Sequence, residues 1–232
     1  MLFATSASHP KVILVTSAGK NQGKTSVASS LAESFARNDY RTLLIDGDLR
    51  KPMVAQVFGV EPGAARLGGR TLSVRQLLED PTLEGGPATV RLGGGTLDVL
   101  PQFGSAPSPT ELLSRGFATM LNRFKDDYDV IVVDTPPMLP VADTLTMAPH
   151  TTGVVLAVSL PDTDRRSVGA AIDLLERIGV RMLGLVATNI EKTTGRAGEY
   201  GYGYGYGYGD DEGSSGTAGG GRRSPRRGAA PS

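Results

Sequence analysis

Gly23, Lys24 and Thr25 stand in succession where an apolar run gives way to an amphipathic one, in the segment VILVTSAGKNQGKTSVASSLA. A loop that ends this way at a helix N-terminus aims backbone N–H groups and the positive end of the helix dipole at one spot, which makes an anion site. From there Lys24 reaches the β- and γ-phosphates of a nucleotide, and the Thr25 hydroxyl meets Mg²⁺. The strict pattern Gly-x-x-x-x-Gly-Lys-[Ser/Thr] is not met, because Ala18 holds its first glycine position. A bare Gly-Lys-Thr at a helix start also serves as a plain turn, so the loop alone leaves both readings open. Two acidic segments weigh on the choice. TLLIDGDLRKP sets Asp46 and Asp48 at the end of a second apolar run, and DVIVVDTPP sets Asp134 at the end of a third. One aspartate after a strand reads as a helix N-cap or turn residue. Three beside a Gly-Lys-Thr loop read as oxygen donors for a hard cation, with Asp46 and Asp134 approaching a Mg²⁺ held by Thr25.

Such a cluster forms only if the three runs are strands of one parallel sheet, whose C-terminal edges share the ligand crevice. Residues 12–16, 42–45, 130–133, 154–158 and 183–187 are short, continuous, β-branched-rich runs of the kind buried on both faces. Between them Val27, Leu31 and Phe35 recur at four-residue spacing, and Val168, Ala171, Ile172, Leu175 and Ile178 mark a second helix. A third is predicted over residues 110–126, opened by Ser108-Pro109-Thr110-Glu111. Residues 59–104 are glycine-rich and weakly patterned, with a short helix expected at 74–79 and a strand at 97–100. The expected fold is an α/β, mostly parallel open sheet with helices on both faces.

The composition removes competing classes. There is no cysteine, so disulfides, cysteine-based zinc sites and cysteine nucleophiles are excluded. Lys and Arg number 24 against 24 Asp and Glu, which argues against nucleic acid as a partner. No apolar stretch approaches the roughly 18 to 20 residues of a membrane span, and residues 1–10 do not read as a secretory signal. A soluble, cytoplasmic chain is expected. The composition changes near Gly195: residues 195–232 hold 13 of the 31 glycines and no large aliphatic side chain. Residues 1–194 are therefore read as the folded domain and 195–232 as a disordered tail. Five of the seven tyrosines, Tyr200, Tyr202, Tyr204, Tyr206 and Tyr208, alternate with glycine in that tail.

The trio SAGKNQGKTS, LLIDGDLRKP and VIVVDTPP is similar to the Walker A, Walker A′ and Walker B motifs of the bacterial tyrosine kinases, the autokinases of polysaccharide biosynthesis. LDVLPQFGSAPSPTELL and DTPPMLPVADTLTMAPHTTGVVLAVS also resemble family segments, and the likeness covers residues 11–191 together with the tyrosine-rich tail. The resemblance implies a P-loop NTPase fold that uses ATP and Mg²⁺. It implies that Ala18, Gly19, Lys20, Asn21, Gln22, Gly23, Lys24, Thr25 and Ser26 wrap the phosphates. Thr25, Asp46 and Asp134 would hold the metal, with Lys24, Asp46, Asp48 and Asp134 catalytic and Asp46 or Asp48 the base. Asn189 matches a position that reads adenine in related ATPases, and reads equally well as a turn residue. The tail tyrosines would be phosphoacceptors, reached in trans by neighbouring copies of a homo-oligomer. Further implied partners are a membrane-bound polysaccharide co-polymerase or activator, which would hold the chain at the inner face of the plasma membrane, and a phosphotyrosine phosphatase.

The chain departs from the family pattern at Lys20-Asn21-Gln22, where Asn21 tolerates left-handed backbone angles. The family pattern places an arginine-rich oligomerisation helix ahead of the segment that matches residues 1–11. Two alternatives stand beside the kinase reading: a switch ATPase of the MinD/ParA type, which has a lysine where this chain has Gly19, and a non-catalytic nucleotide-binding scaffold.

Overall fold

The computed structural model describes residues 10–190 other than 64, 67 and 68. The five tail tyrosines at positions 200–208 lie outside the described residues. The strands are β1 (Lys11–Ser17), β2 (Thr42–Asp46), β3 (Ala65–Arg66), β4 (Gly69–Arg70), β5 (Ala88–Leu92), β6 (Gly95–Leu100), β7 (Val130–Asp134), β8 (Gly153–Ser159) and β9 (Met182–Thr188). The helices are α1 (Lys24–Arg37), α2 (Val54–Val57), α3 (Val74–Glu79), α4 (Pro109–Phe124), α5 (Asp143–Met147) and α6 (Arg165–Arg177).

Seven strands form one sheet in the order β5-β6-β2-β7-β1-β8-β9. Every pairing is parallel except β5 with β6. The central strands read as continuous apolar runs because both faces are covered, and two core clusters divide their residues by parity. Val12, Leu14, Leu43, Ile45, Ile131 and Val133 face the side packed by α3, α4 and α6, where Phe117 and Met120 are fully buried. Ile13, Val15, Leu44, Val130 and Val132 face α1, which meets them with Ala28, Ala32 and Ala36. Small residues at four-residue spacing let that helix lie close to the strands.

β5 is absent from the sequence reading, and the reason is physical. Ala88–Leu92 alternates between half-buried and exposed side chains at the sheet edge, so it offers no continuous apolar run. Ser108 also departs from expectation. The helix runs Pro109–Phe124 against the expected 110–126, and Ser108 adopts φ 45° with no capping bond from its side chain.

Parallel pairing places Asp134 level with Asp46 on one side and Val15 on the other. The loop after β1 and both acidic strand ends therefore share one sheet edge. Gly47 keeps the two acidic strands tight there: its N–H donates to the Asp134 carbonyl at 2.7 Å, and a Cβ at Gly47 would stand 2.7 Å from that oxygen. Among the described residues no helix is long and apolar enough to cross a membrane.

Candidate active site

The loop between β1 and α1 is held from within. Ser17 Oγ donates to the Gly19 carbonyl at 2.6 Å, and the Gly19 N–H donates to Gln22 Oε1 at 3.2 Å. Asn21 takes φ 58°, the left-handed conformation that its residue type tolerates. Ala18 is buried in the core and has no positive φ, so the first glycine position of the strict motif needs no glycine here. Gly23 does need one, at φ 74°, with a Cβ there only 3.2 Å from the Thr188 methyl group. Thr188, at the end of β9, also donates its hydroxyl to the Gln22 carbonyl at 3.0 Å.

Helix α1 begins without a side-chain cap, and its first intrahelical bond runs from Val27 N–H to the Gly23 carbonyl. The first-turn amides of Lys24, Thr25 and Ser26 are thus left to a ligand, at the positive end of a 14-residue helix. Lys24 is half-buried. Burial pulls its pKa down, while the nearby carboxylates of Asp134 and Asp48 act against that pull.

Thr25 and Asp134 meet directly, the threonine hydroxyl donating to Asp134 Oδ2 at 2.6 Å. Asp134 Oδ1 and Asp46 Oδ1 are buried and have no hydrogen-bond partner among the described residues. A buried carboxylate oxygen without a donor is costly. Burial pushes the Asp134 pKa to about 7 despite the Thr25 bond and Lys24, and pushes that of Asp46 well up, with Asp134 adding to the effect. A hydrated cation beside Asp134 would relieve that cost, so threonine hydroxyl and carboxylate together fit Mg²⁺. Among the described residues no group of three or more His, Asp or Glu side chains forms a complete cage. Mg²⁺ does not need one, because it keeps waters and substrate phosphate oxygens.

Of the expected site residues, Lys20, Asn21, Gly23, Lys24, Thr25, Ser26 and Asp48 line one cavity of about 580 Å³. Asp134 lies beneath it through Thr25. Asp46 has no exposed surface, and its Oδ2 accepts the Val54 N–H at 3.0 Å. Asn189 sits beyond β9 with φ 52° and donates its side-chain amide to Ser159 Oγ at 3.0 Å, away from the cavity lining. Asp48 is half-buried on the cavity wall, where its Oδ1 accepts the N–H groups of Lys51 at 3.0 Å and Arg50 at 3.2 Å. Its pKa is raised by burial.

Arg50, Lys51, Met53, Pro136, Pro137, Pro140 and Val141 complete the lining and carry no role in the sequence reading. Arg50 had a signal in LLIDGDLRKP, but its partner is remote in sequence. Its guanidinium makes a two-pronged bond to the buried Asp143, at 2.7 and 3.0 Å, while the Thr110 hydroxyl donates to the same carboxylate. Burial would raise the Asp143 pKa, but the bonds from Arg50 and Thr110 prevail and hold it low.

Comparison with known proteins agrees with this geometry. Residues 13–199 match the CobQ/CobB/MinD/ParA nucleotide binding domain. The chain is 32% identical to tyrosine-protein kinase YwqD of Bacillus subtilis over 86% of its own length and 80% of that protein. It is 31% identical to tyrosine-protein kinase CpsD of Streptococcus pneumoniae, covering 82% of this chain and 81% of the other. Among solved structures, the kinase domain of Escherichia coli tyrosine kinase ETK superposes with a TM-score of 0.68 at 28% identity, covering 83% of this chain and 72% of that one. With the loop, the acidic strand ends and these likenesses in agreement, the chain belongs to the CobQ/CobB/MinD/ParA nucleotide-binding family and, within it, to the bacterial tyrosine kinases.

Proposed function

We propose that the protein is an ATP- and Mg²⁺-dependent protein-tyrosine kinase whose acceptors are Tyr200, Tyr202, Tyr204, Tyr206 and Tyr208 of a neighbouring copy. The observation that carries this reading is the Thr25–Asp134 bond at 2.6 Å beneath a cavity that Lys24 and Asp48 share. Phosphoryl transfer asks for in-line positioning and neutralised charge. The first-turn amides of α1 and Lys24 receive the phosphates. Mg²⁺, held by Thr25 and Asp134 with Asp46 behind them, supplies charge neutralisation when bound. Asp48 is the base, because it reaches the cavity wall whereas Asp46 does not. The phenol gives its proton to Asp48 as the tyrosine oxygen bonds to the γ-phosphorus, and the bond from that phosphorus to the β–γ bridging oxygen breaks to release ADP. A phenol of ordinary pKa near 10 gains from such a base, and burial makes Asp48 a stronger one.

On this reading residues 1–194 form the catalytic domain and 195–232 the acceptor tail. The chain works at the cytoplasmic face of the membrane with a polysaccharide co-polymerase as activator, a phosphatase reverses the modification, and the output is control of capsule or exopolysaccharide synthesis. Incubation with γ-labelled ATP and Mg²⁺ tests it. Label is expected on the tail tyrosines and is expected to fall at least about a hundredfold in Lys24→Met. Free phosphate without label would instead indicate a switch ATPase, and label persisting after all five tail tyrosines become phenylalanine would remove the tail as acceptor.

A further inference from the structure

Strand β9 ends on Thr188, and this residue meets the phosphate loop where the loop turns into α1. Its hydroxyl donates to the Gln22 carbonyl at 3.0 Å, and its methyl group lies 3.2 Å from where a Cβ at Gly23 would stand. The bonds within the loop run from Ser17 Oγ to the Gly19 carbonyl and from the Gly19 N–H to the Gln22 side chain. Neither of them fixes the peptide unit between Gln22 and Gly23. Thr188 does. A trans peptide is planar, with its C=O and N–H pointing in opposite directions, so drawing the Gln22 carbonyl towards β9 aims the Gly23 N–H away from it. Gly23 lines the cavity and Gln22 does not. Among the described residues that N–H has no backbone or side-chain acceptor, which leaves it for a phosphate oxygen.

The loop's own residues do not enforce this orientation. Gly23 stands at φ 74° and ψ 19°, and glycine takes either sign of φ at little cost. The peptide unit can therefore turn over and present its carbonyl oxygen to the cavity, where it repels an anion. Selecting one orientation takes a donor that is itself held in place, and Thr188 is held on its far side. Its carbonyl accepts the Leu160 N–H at 3.2 Å. The next residue, Asn189, donates its side-chain amide to Ser159 Oγ at 3.0 Å, and that buried serine donates to Asp162 Oδ2 at 2.6 Å.

We infer that Thr188 is a positioning residue for the phosphate loop, its hydroxyl locking the peptide unit between Gln22 and Gly23 with the N–H facing the cavity as a donor to the bound nucleotide's phosphates. This deepens the reading of the loop as the phosphate site and rests on that reading, but it is independent of tyrosine as the acceptor. Nucleotide affinity then scales with the fraction of molecules whose Gly23 amide faces inwards.

Two substitutions in the full-length chain separate the hydroxyl from the packing. Thr188→Val keeps the branched shape and a methyl group against Gly23 but removes the donor, whereas Thr188→Ser keeps the donor and removes the methyl group. Each protein is titrated with ADP and, separately, with inorganic pyrophosphate, both with Mg²⁺, after melting curves show it to be folded. Thr188→Val is expected to raise both dissociation constants by the same factor, about tenfold, and Thr188→Ser by less than about threefold. Unchanged affinity in Thr188→Val overturns the lock. A loss for ADP alone also overturns it, since that would assign the strand end to the base. So does a loss in Thr188→Ser as large as in Thr188→Val, which would reduce the residue to its packing. Should Thr188→Val not fold, Thr188→Ala replaces it, and the hydroxyl is then its one difference from Thr188→Ser. A parent that binds neither ligand removes the phosphate site and this role with it, whereas a parent that binds both and is matched by Thr188→Val removes the role alone.

Discussion

A carboxyl such as that of Asp134, 1% exposed and with Oδ1 lacking a donor, resists ionisation while the cavity is empty of ligand. Its displacement from 3.8 to about 7 corresponds to about 4 kcal/mol between its protonation states, an upper bound. Because the folded value lies above the unfolded one, the stabilisation is complete below about pH 4 and is lost as pH rises through about 7. Asp46 shifts in the same direction. The melting temperature measured without nucleotide or Mg²⁺ is therefore expected to fall between pH 5 and pH 7.5, and Asp134→Asn is expected to flatten that slope. A parent protein equally stable at both pH values would refute the assignment. Gly47 offers a second check at this scale. A Cβ there meets the Asp134 carbonyl at 2.7 Å, so Gly47→Ala is expected to cost about 1–3 kcal/mol in denaturant unfolding and to displace Asp48. Lys24, Thr25 and Asp48 were legible in the sequence because short motifs fix their local geometry. The burial of Asp46 was not, since a strand-end aspartate looks the same whether or not a neighbouring segment covers it.

Between elements, Arg50 joins the turn after β2 to the first turn of α4 and to α5, through Asp143 and Thr110. Asp143 is fully buried while the Arg50 side chain is 40% exposed. Removing the arginine would leave a buried carboxylate without its charged partner. Arg50→Met is expected to destabilise the fold by about 2 kcal/mol in urea unfolding, with less loss in an Arg50→Met, Asp143→Asn double variant. Helix α3 shows a purely local device: Ser73 accepts the Gln76 N–H while Gln76 returns a bond to the Ser73 N–H. Ser73→Ala is expected to cost about 1 kcal/mol by thermal melting. The sequence showed α4 through a start signal, Ser108-Pro109-Thr110-Glu111, that lies within a few residues, and it placed α3 at 74–79 without the cap that the structure supplies. It did not show β5, whose partner strand supplies what its own alternation lacks.

For the molecule as a whole, the two core clusters lie on opposite faces of one sheet and account for burial within residues 10–190. Residues 195–232 contain no large aliphatic side chain. If the body carries nucleotide binding and the tail only the acceptors, a chain ending at residue 194 is expected to melt within about 2 °C of the full chain and bind nucleotide equally well. It should incorporate no label. Impaired nucleotide affinity in the shortened chain would contradict that division of labour. The glycines follow the same division, since 13 of the 31 lie in residues 195–232, before, between and beyond the tyrosines.

The sequence by itself determined the central strands and the longer helices, and that a lysine and a threonine at a helix start and three aspartates after strands gather at one sheet edge. Periodicity, capping and the anion-binding loop act over a few residues, so they can be read along the chain. Tertiary structure decided which of those groups share a surface. Thr25 meets Asp134 across 109 residues, and Arg50 meets Asp143 across 93. Both encounters depend on the order in which distant strands pair, and so does the apolar wall of Met53, Pro137, Pro140 and Val141, assembled from two connections that only the sheet brings together.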